Sequence, residues 1–277
     1  MLMDFIAFLS VITVLLFFSG TLVIGIISTG KYIAPWYKRN KIKPIGNLYR
    51  TFLAKNFIYY KKLANKDRKE FENRLDYFLK GKRFIPRNMP EVTEEMKVLV
   101  AACAAQLTFG LKPVKFAHFK NIVIYPTKYF SKYSNRTHSG EMHPNGTITF
   151  AWDCFEKGHK IPYDGYNLGL HEMAHALKFE DASYKGDYGV IEEKSLHQWH
   201  RVSTREMNKI KRGKKTFLRK YAIWDKEEFF AVCVEEFFEQ PYLFRRELPE
   251  VYSAMCKLLN QDPTKIYRPV YEKDLSA

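Results

Sequence analysis

Residues 171–175 read His-Glu-Met-Ala-His, and this pattern constrains the chain more than any other stretch. Two histidines four apart act together when the segment between them is helical, because positions i and i+4 then lie on one face, a turn apart. Two imidazole nitrogens so placed can grip one metal ion, and the Glu beside the first His can reach a water on that ion. Zn2+ lowers the pKa of such a water towards neutrality, so a carboxylate can take its proton and deliver hydroxide to a carbonyl. The pattern predicts a buried site helix with His171 and His175 as ligands and Glu172 as general base. The flanks agree. Leu168 and Leu170 lead in, Ala174, Ala176, Leu177 and Phe179 follow at helix-compatible spacing, and no Pro or Gly interrupts 170–180.

A catalytic zinc site takes a third protein ligand and leaves the fourth position to water. In one known arrangement the motif extends to a Gly and then a His. Lys178 and Asp181 stand at those places, which leaves Asp181 as an oxygen donor. In another, a Glu on the next helix serves, and Glu192 and Glu193 are available. In a third, the Glu lies on a later helix. Glu228 fits best, because it opens the strongly apolar run 228–238, where a carboxylate needs a reason. The competing reason is a helix start, since Asp225 and Glu228 have the spacing of a capping box. Glu235, one heptad later on the same face, is a further candidate.

With these residues in view, the chain resembles the zinc metallopeptidases typified by Mlc titration factor A, distant relatives of the anthrax lethal factor catalytic domain. The resemblance covers roughly 63–270. It rests on Lys82-Arg83-Phe84-Ile85-Pro86, Ile122-Val123-Ile124-Tyr125-Pro126, the lead-in Gly165-Tyr166-Asn167-Leu168, Glu228-Phe229-Phe230-Ala231-Val232 and Gln261-Asp262-Pro263, in that order. It implies an α+β fold, a zincin-like metallopeptidase domain that is mostly helical with a small sheet and an active-site helix. It also implies Zn2+ held by His171, His175 and Glu228, Glu172 as general base, and Tyr221 beside the metal as a donor to the oxyanion. A peptide or protein substrate follows. Because the family's namesake binds a transcriptional repressor, a regulatory protein partner is the alternative. One departure is Lys178, where the family carries an acid.

Residues 5–30 carry no charged side chain and are long enough to cross a bilayer as a helix. The start, Met1-Leu2-Met3-Asp4, lacks the basic residues of a secretory signal, so a retained transmembrane anchor over 1–30 is expected. Lys31 to Lys62 then hold nine Lys or Arg and no acid, which reads as a basic juxtamembrane connector over 31–62. Positive flanks stay on the cytoplasmic side, which predicts a single-pass protein of the cell (inner) membrane. The metallopeptidase domain, 63–277, then faces the cytoplasm. Segment 1–62 has one Asp, so eight of the fifteen net positive charges belong to it, which weakens any case for a nucleic-acid partner. The four cysteines form no Cys-x-x-Cys pair, which excludes a structural zinc knot and suits a reducing compartment.

Along the domain, helices are expected at 66–80, 91–109 and 248–260, besides the site helix and the helix of Glu228. A strand is expected over 114–125, and a hairpin over 139–152 around Asn145-Gly146. One arm of that hairpin is a candidate to hold an extended peptide by main-chain hydrogen bonds. His197 and His200, three apart, read as a polar helix face, and the basic patch 209–215 as a solvated loop.

Overall fold

The structure, a computed structural model, describes residues 46–183 and 189–266. The anchor expected over 1–30 lies outside them, and among the described residues no helix is long and apolar enough to cross a membrane. Helices α1 (Asn47–Asn56) and α2 (Ile58–Lys62) open the described part. Sequence reading places them in the basic connector, yet they join the packed body. Lys55, Lys61 and Lys62 face solvent, while Leu53, Phe57, Tyr59 and Tyr60 are buried in the core. Polar ties fix them there. The Tyr60 hydroxyl donates to Glu72 at 2.8 Å, and the Tyr59 hydroxyl donates to Gln261 at 2.7 Å.

Helix α3 (Asn65–Leu79) buries the apolar face seen in the sequence, through Phe71, Leu75 and Phe78. After β1 (Arg83–Pro86), Thr93 caps α4 (Glu94–Thr108) by accepting from the Met96 amide at 3.3 Å. Glu94 and Glu95 suit the positive end of its dipole. The Ala-rich second half of α4 is buried throughout, so other helices can approach it closely.

The strand expected over 114–125 is shorter. Only β2 (Asn121–Tyr125) pairs, and 114–120 runs in turns. Side chains take backbone groups there that a ladder would need: Lys82 donates to the carbonyls of Lys115 and Phe116, both at 2.8 Å. Glu180 accepts from the His118 amide at 2.8 Å. A small antiparallel pair, β3 (Tyr129–Ser131) with β4 (Arg136–His138), precedes the predicted hairpin of β5 (Gly140–His143) and β6 (Thr147–Ala151). Gly146 supplies the positive φ, 89°, that its turn requires.

The main sheet has the order β1-β2-β6-β5. β2 is parallel to β1 and β6, and β5 is antiparallel to β6. β5 is therefore an edge, and its outer flank carries no further strand among the described residues.

Helix α5 (Trp152–Lys160) leads to α6 (Leu168–Ser183), which carries the histidine motif and packs between α4 and α8 (Lys226–Glu239), beside β5. Gly169 permits this approach. A Cβ there would lie 2.6 Å from the Cys103 sulfur on α4 and 2.7 Å from Phe155 on α5. Helix α7 (Glu193–Lys211) and a 3-10 turn (Lys220–Ile223) come between α6 and α8. Helices α9 (Pro241–Glu247), α10 (Pro249–Leu259) and α11 (Pro263–Ile266) close the described chain. The result is a mostly helical body with one small sheet, and a core in which Phe71, Phe229, Phe230 and Phe237 are fully buried.

Candidate metal centre

The site forms where the first half of α6 faces the first turn of α8. Asn167 ends the chain's approach to α6. Its side-chain oxygen accepts from the Leu170 amide at 3.0 Å, the usual service of a helix cap. Its own amide donates to Glu235 at 2.6 Å, and its Nδ2 donates to Glu239 at 2.9 Å, both on α8. This registers one helix against the other and sets where His171 and His175 project.

The two histidines lie one turn apart with their Nε2 atoms 3.2 Å from each other. Glu228, in the first turn of α8, reaches both: Oε2 is 3.3 Å from His171 Nε2, and Oε1 is 3.5 Å from His175 Nε2. Donor atoms of His171, His175 and Glu228 all lie within 4.8 Å of one another, the only such group among the described residues. The rival reading of Glu228 as part of a capping box is resolved by Asp225. Its Oδ1 accepts from the amides of Glu227 and Glu228, both at 2.8 Å, so Asp225 caps α8 and the Glu228 side chain turns to the imidazoles.

Other candidates serve elsewhere. Asp181 accepts from the amides of Val190 at 3.0 Å and Ile191 at 2.9 Å. Glu192 accepts from the Ser195 hydroxyl at 2.7 Å, and exposed Glu193 stands 3.5 Å from His197. His197 and His200 face solvent on α7. Glu235 is on the other ring nitrogen of His171, with Oε1 2.8 Å from Nδ1. A carboxylate there keeps a proton on Nδ1 and makes Nε2, which faces His175 and Glu228, the nitrogen available to a metal. Arg219 in turn ion-pairs with Glu235 and lies over the Tyr166 ring, 4.1 Å from its centroid.

Electrostatics agree with a cation site. Burial opposes charge on His171, but Glu235 and Glu228 outweigh it and raise its pKa to about 10. Burial and then the charge of His171 lower His175 to about 4. Burial also works against the Glu228 carboxylate, yet its imidazole neighbours and Tyr221 hold its pKa below the ordinary value. Glu228 Oε2 is buried without a hydrogen bond, as expected of an atom free to ligate. Two imidazoles and one carboxylate are a donor set that suits zinc.

Glu172 is buried, and burial, with Glu228 and Glu235 nearby, pushes it up to about 7 despite His171. A base poised there matches the working pH of most proton transfers. Gly140, at the start of β5, makes room for it: a Cβ at that position would lie 2.5 Å from Glu172 Oε1. Gly140 was not singled out from the sequence, because Glu172 is remote in it; Asn167 stood in the lead-in that carries the resemblance, but its ties to Glu235 and Glu239 are remote in the same way. Tyr221, in the 3-10 turn, lines the same cleft as Glu228, and its ring centroid is 6.1 Å from that of His171. Burial, then Glu228, raises its pKa and keeps it protonated.

Two clefts flank the cluster. One, about 500 Å³, is lined by Met142, Phe179 and Lys178. The other, about 840 Å³, is lined by Tyr166, Trp224 and several cations. Gly140, His171, Glu172 and Tyr221 border both.

A family model described as glucose-regulated metallo-peptidase M90 matches residues 34–259. Mlc titration factor A of Pectobacterium atrosepticum is 23% identical over 73% of this chain and 82% of its own length. Its counterpart in Yersinia pestis is 25% identical over 67% and 74%. The uncharacterized protein slr2042 of Synechocystis sp. is 23% identical over 80% and 86%.

Proposed function

This chain belongs to the glucose-regulated M90 metallopeptidases, and from that membership we propose that it is a zinc-dependent peptidase with His171, His175 and Glu228 as ligands. The observation that carries the reading is the convergence of those three side chains, from two helices, beside the buried carboxylate of Glu172. A Zn2+ ion held there supplies a Lewis acid for the peptide carbonyl and acidifies a water. Glu172 accepts the proton of the attacking water and passes it to the leaving amine. The phenol of Tyr221 donates a hydrogen bond to the developing oxyanion. Glu235 holds His171 in the tautomer that ligates. The free flank of β5 pairs with the extended peptide backbone, the part foreseen for one arm of the hairpin.

Metal analysis of the purified protein tests this, with about one zinc per chain expected. Glu172→Gln should keep that zinc and lose peptide hydrolysis. Protein without stoichiometric metal in chelator-free buffer, or a Glu172→Gln variant with full activity, overturns the assignment.

The name of the relatives, Mlc titration factor A, favours a second reading in which the chain captures a regulatory protein partner. Glu172→Ala separates the two: capture survives it and hydrolysis does not. Residues 5–30, uncharged and followed by basic residues, support attachment as a single-pass protein of the cell (inner) membrane with the folded body in the cytoplasm. Protease digestion of sealed inverted vesicles checks that orientation, and a fully shielded body refutes it.

A further inference from the structure

The two clefts differ in charge. The larger is lined by Lys128, Arg136 and Lys157, and among the described residues none of the three has a carboxylate within ion-pair distance. Arg219, in the same wall, is already paired with Glu235. Asp164 and, on the border shared by the two clefts, Glu172 are the acids that remain, and the Asp164 Oδ1 accepts from the Tyr166 amide at 2.9 Å. The smaller cleft has one Lys or Arg, Lys178, against Glu141, Glu227 and the site carboxylates Glu172 and Glu228. Unpaired cations gathered along one concavity repel one another and raise the local concentration of anions, and a bound carboxylate relieves that repulsion.

Resting on the peptidase reading, we propose that the larger cleft takes a carboxylate of the peptide, on the C-terminal side of the bond to be cut. The side follows from the edge strand. Of β5 the larger cleft touches only Gly140, with 136–139 before it, while the smaller reaches Gly140, Glu141 and Met142, with His138 shared between them, so the larger lies towards the start of β5 and the smaller further along it. A peptide that extends the sheet antiparallel to β5, the more stable pairing, runs from the smaller cleft to the larger one. Its leaving half then meets Lys128, Arg136 and Lys157. The carboxylate comes from an Asp or Glu side chain or from the free C-terminus.

Binding is measured with the full chain carrying Glu172→Gln, so that peptides stay intact, by fluorescence anisotropy of labelled peptides. One pair differs by Glu or Gln two residues after the candidate bond, both amidated at the C-terminus. A second pair differs by a free or amidated C-terminus, and a third places the Glu before the bond. We expect roughly tenfold tighter binding for a carboxylate after the bond, from whichever of the two sources. The preference should fall to near unity at about 0.5 M salt. It should also vanish in Lys128→Gln/Arg136→Gln/Lys157→Gln, whose exposed positions leave the fold intact by thermal melting. Equal affinity within the first two pairs overturns the proposal. So does a preference confined to Glu before the bond, or one that survives the triple substitution. Cleavage by the unmodified chain is scored separately. Charge-selective binding without cleavage would end the peptidase reading and keep the cleft assignment, and cleavage without charge selection would do the reverse.

Discussion

Glu235 never approaches the shared face of the two imidazoles, yet the geometry of His171 depends on it. Glu235→Gln keeps the shape and removes the charge that holds the proton on Nδ1. It should weaken zinc binding about 10–100-fold, measured by competition with a chromophoric chelator. Gly140 acts on the other side of the site. Gly140→Ala brings a methyl group against Glu172 Oε1, and the carboxylate must move. The expected outcome is a fall in kcat of about a hundredfold with zinc content unchanged, which steady-state kinetics with metal analysis would show. The two variants separate the tasks of the site: one loosens the ion, the other misplaces the base.

At the scale of elements, α8 starts where Asp225 caps it, and Glu228 sits in that capped turn. Asp225→Ala should cost about 1 kcal/mol of stability and weaken zinc binding as well, because the turn that carries the ligand frays. Calorimetry and chelator competition check the two effects. Features set by nearby residues were legible in the sequence: the Thr93 cap of α4, the apolar face of α3, the Gly146 turn and the spacing of His171 and His175. The choice of Glu228 over Asp181, Glu193 and Glu235 needed the family resemblance, since all four are acids at sensible spacings. Tertiary override hid the rest. Lys82 and Glu180 take the backbone of 115–118 out of the expected strand. Arg50, Lys55, Lys61 and Lys62, with no acid among them, mask a buried set of Leu53, Phe57, Tyr59 and Tyr60.

At the scale of the molecule, α8 carries more buried acid than its cations balance. Burial pushes Glu236 up to about 8 and Glu239 up to about 7. Both pKa values are raised on folding, so the folded chain binds more protons than the unfolded one between the ordinary carboxylate value and about 8. Their contribution to stability is full below about 4.5 and is lost as the pH rises through 7 and 8. Glu236→Gln should therefore raise Tm at pH 8 relative to the parent and flatten its dependence on pH, as calorimetry across that range would record. The edge strand β5 carries a different consequence. Proteins usually blunt such a margin with charge, proline or a covering segment, and here the margin must stay accessible if peptides are to lie along it. A groove that reads mainly backbone does not distinguish a meal from a neighbour. Crowded preparations should therefore show concentration-dependent self-inhibition, relieved by dilution or by excess substrate, before they show any loss of native structure.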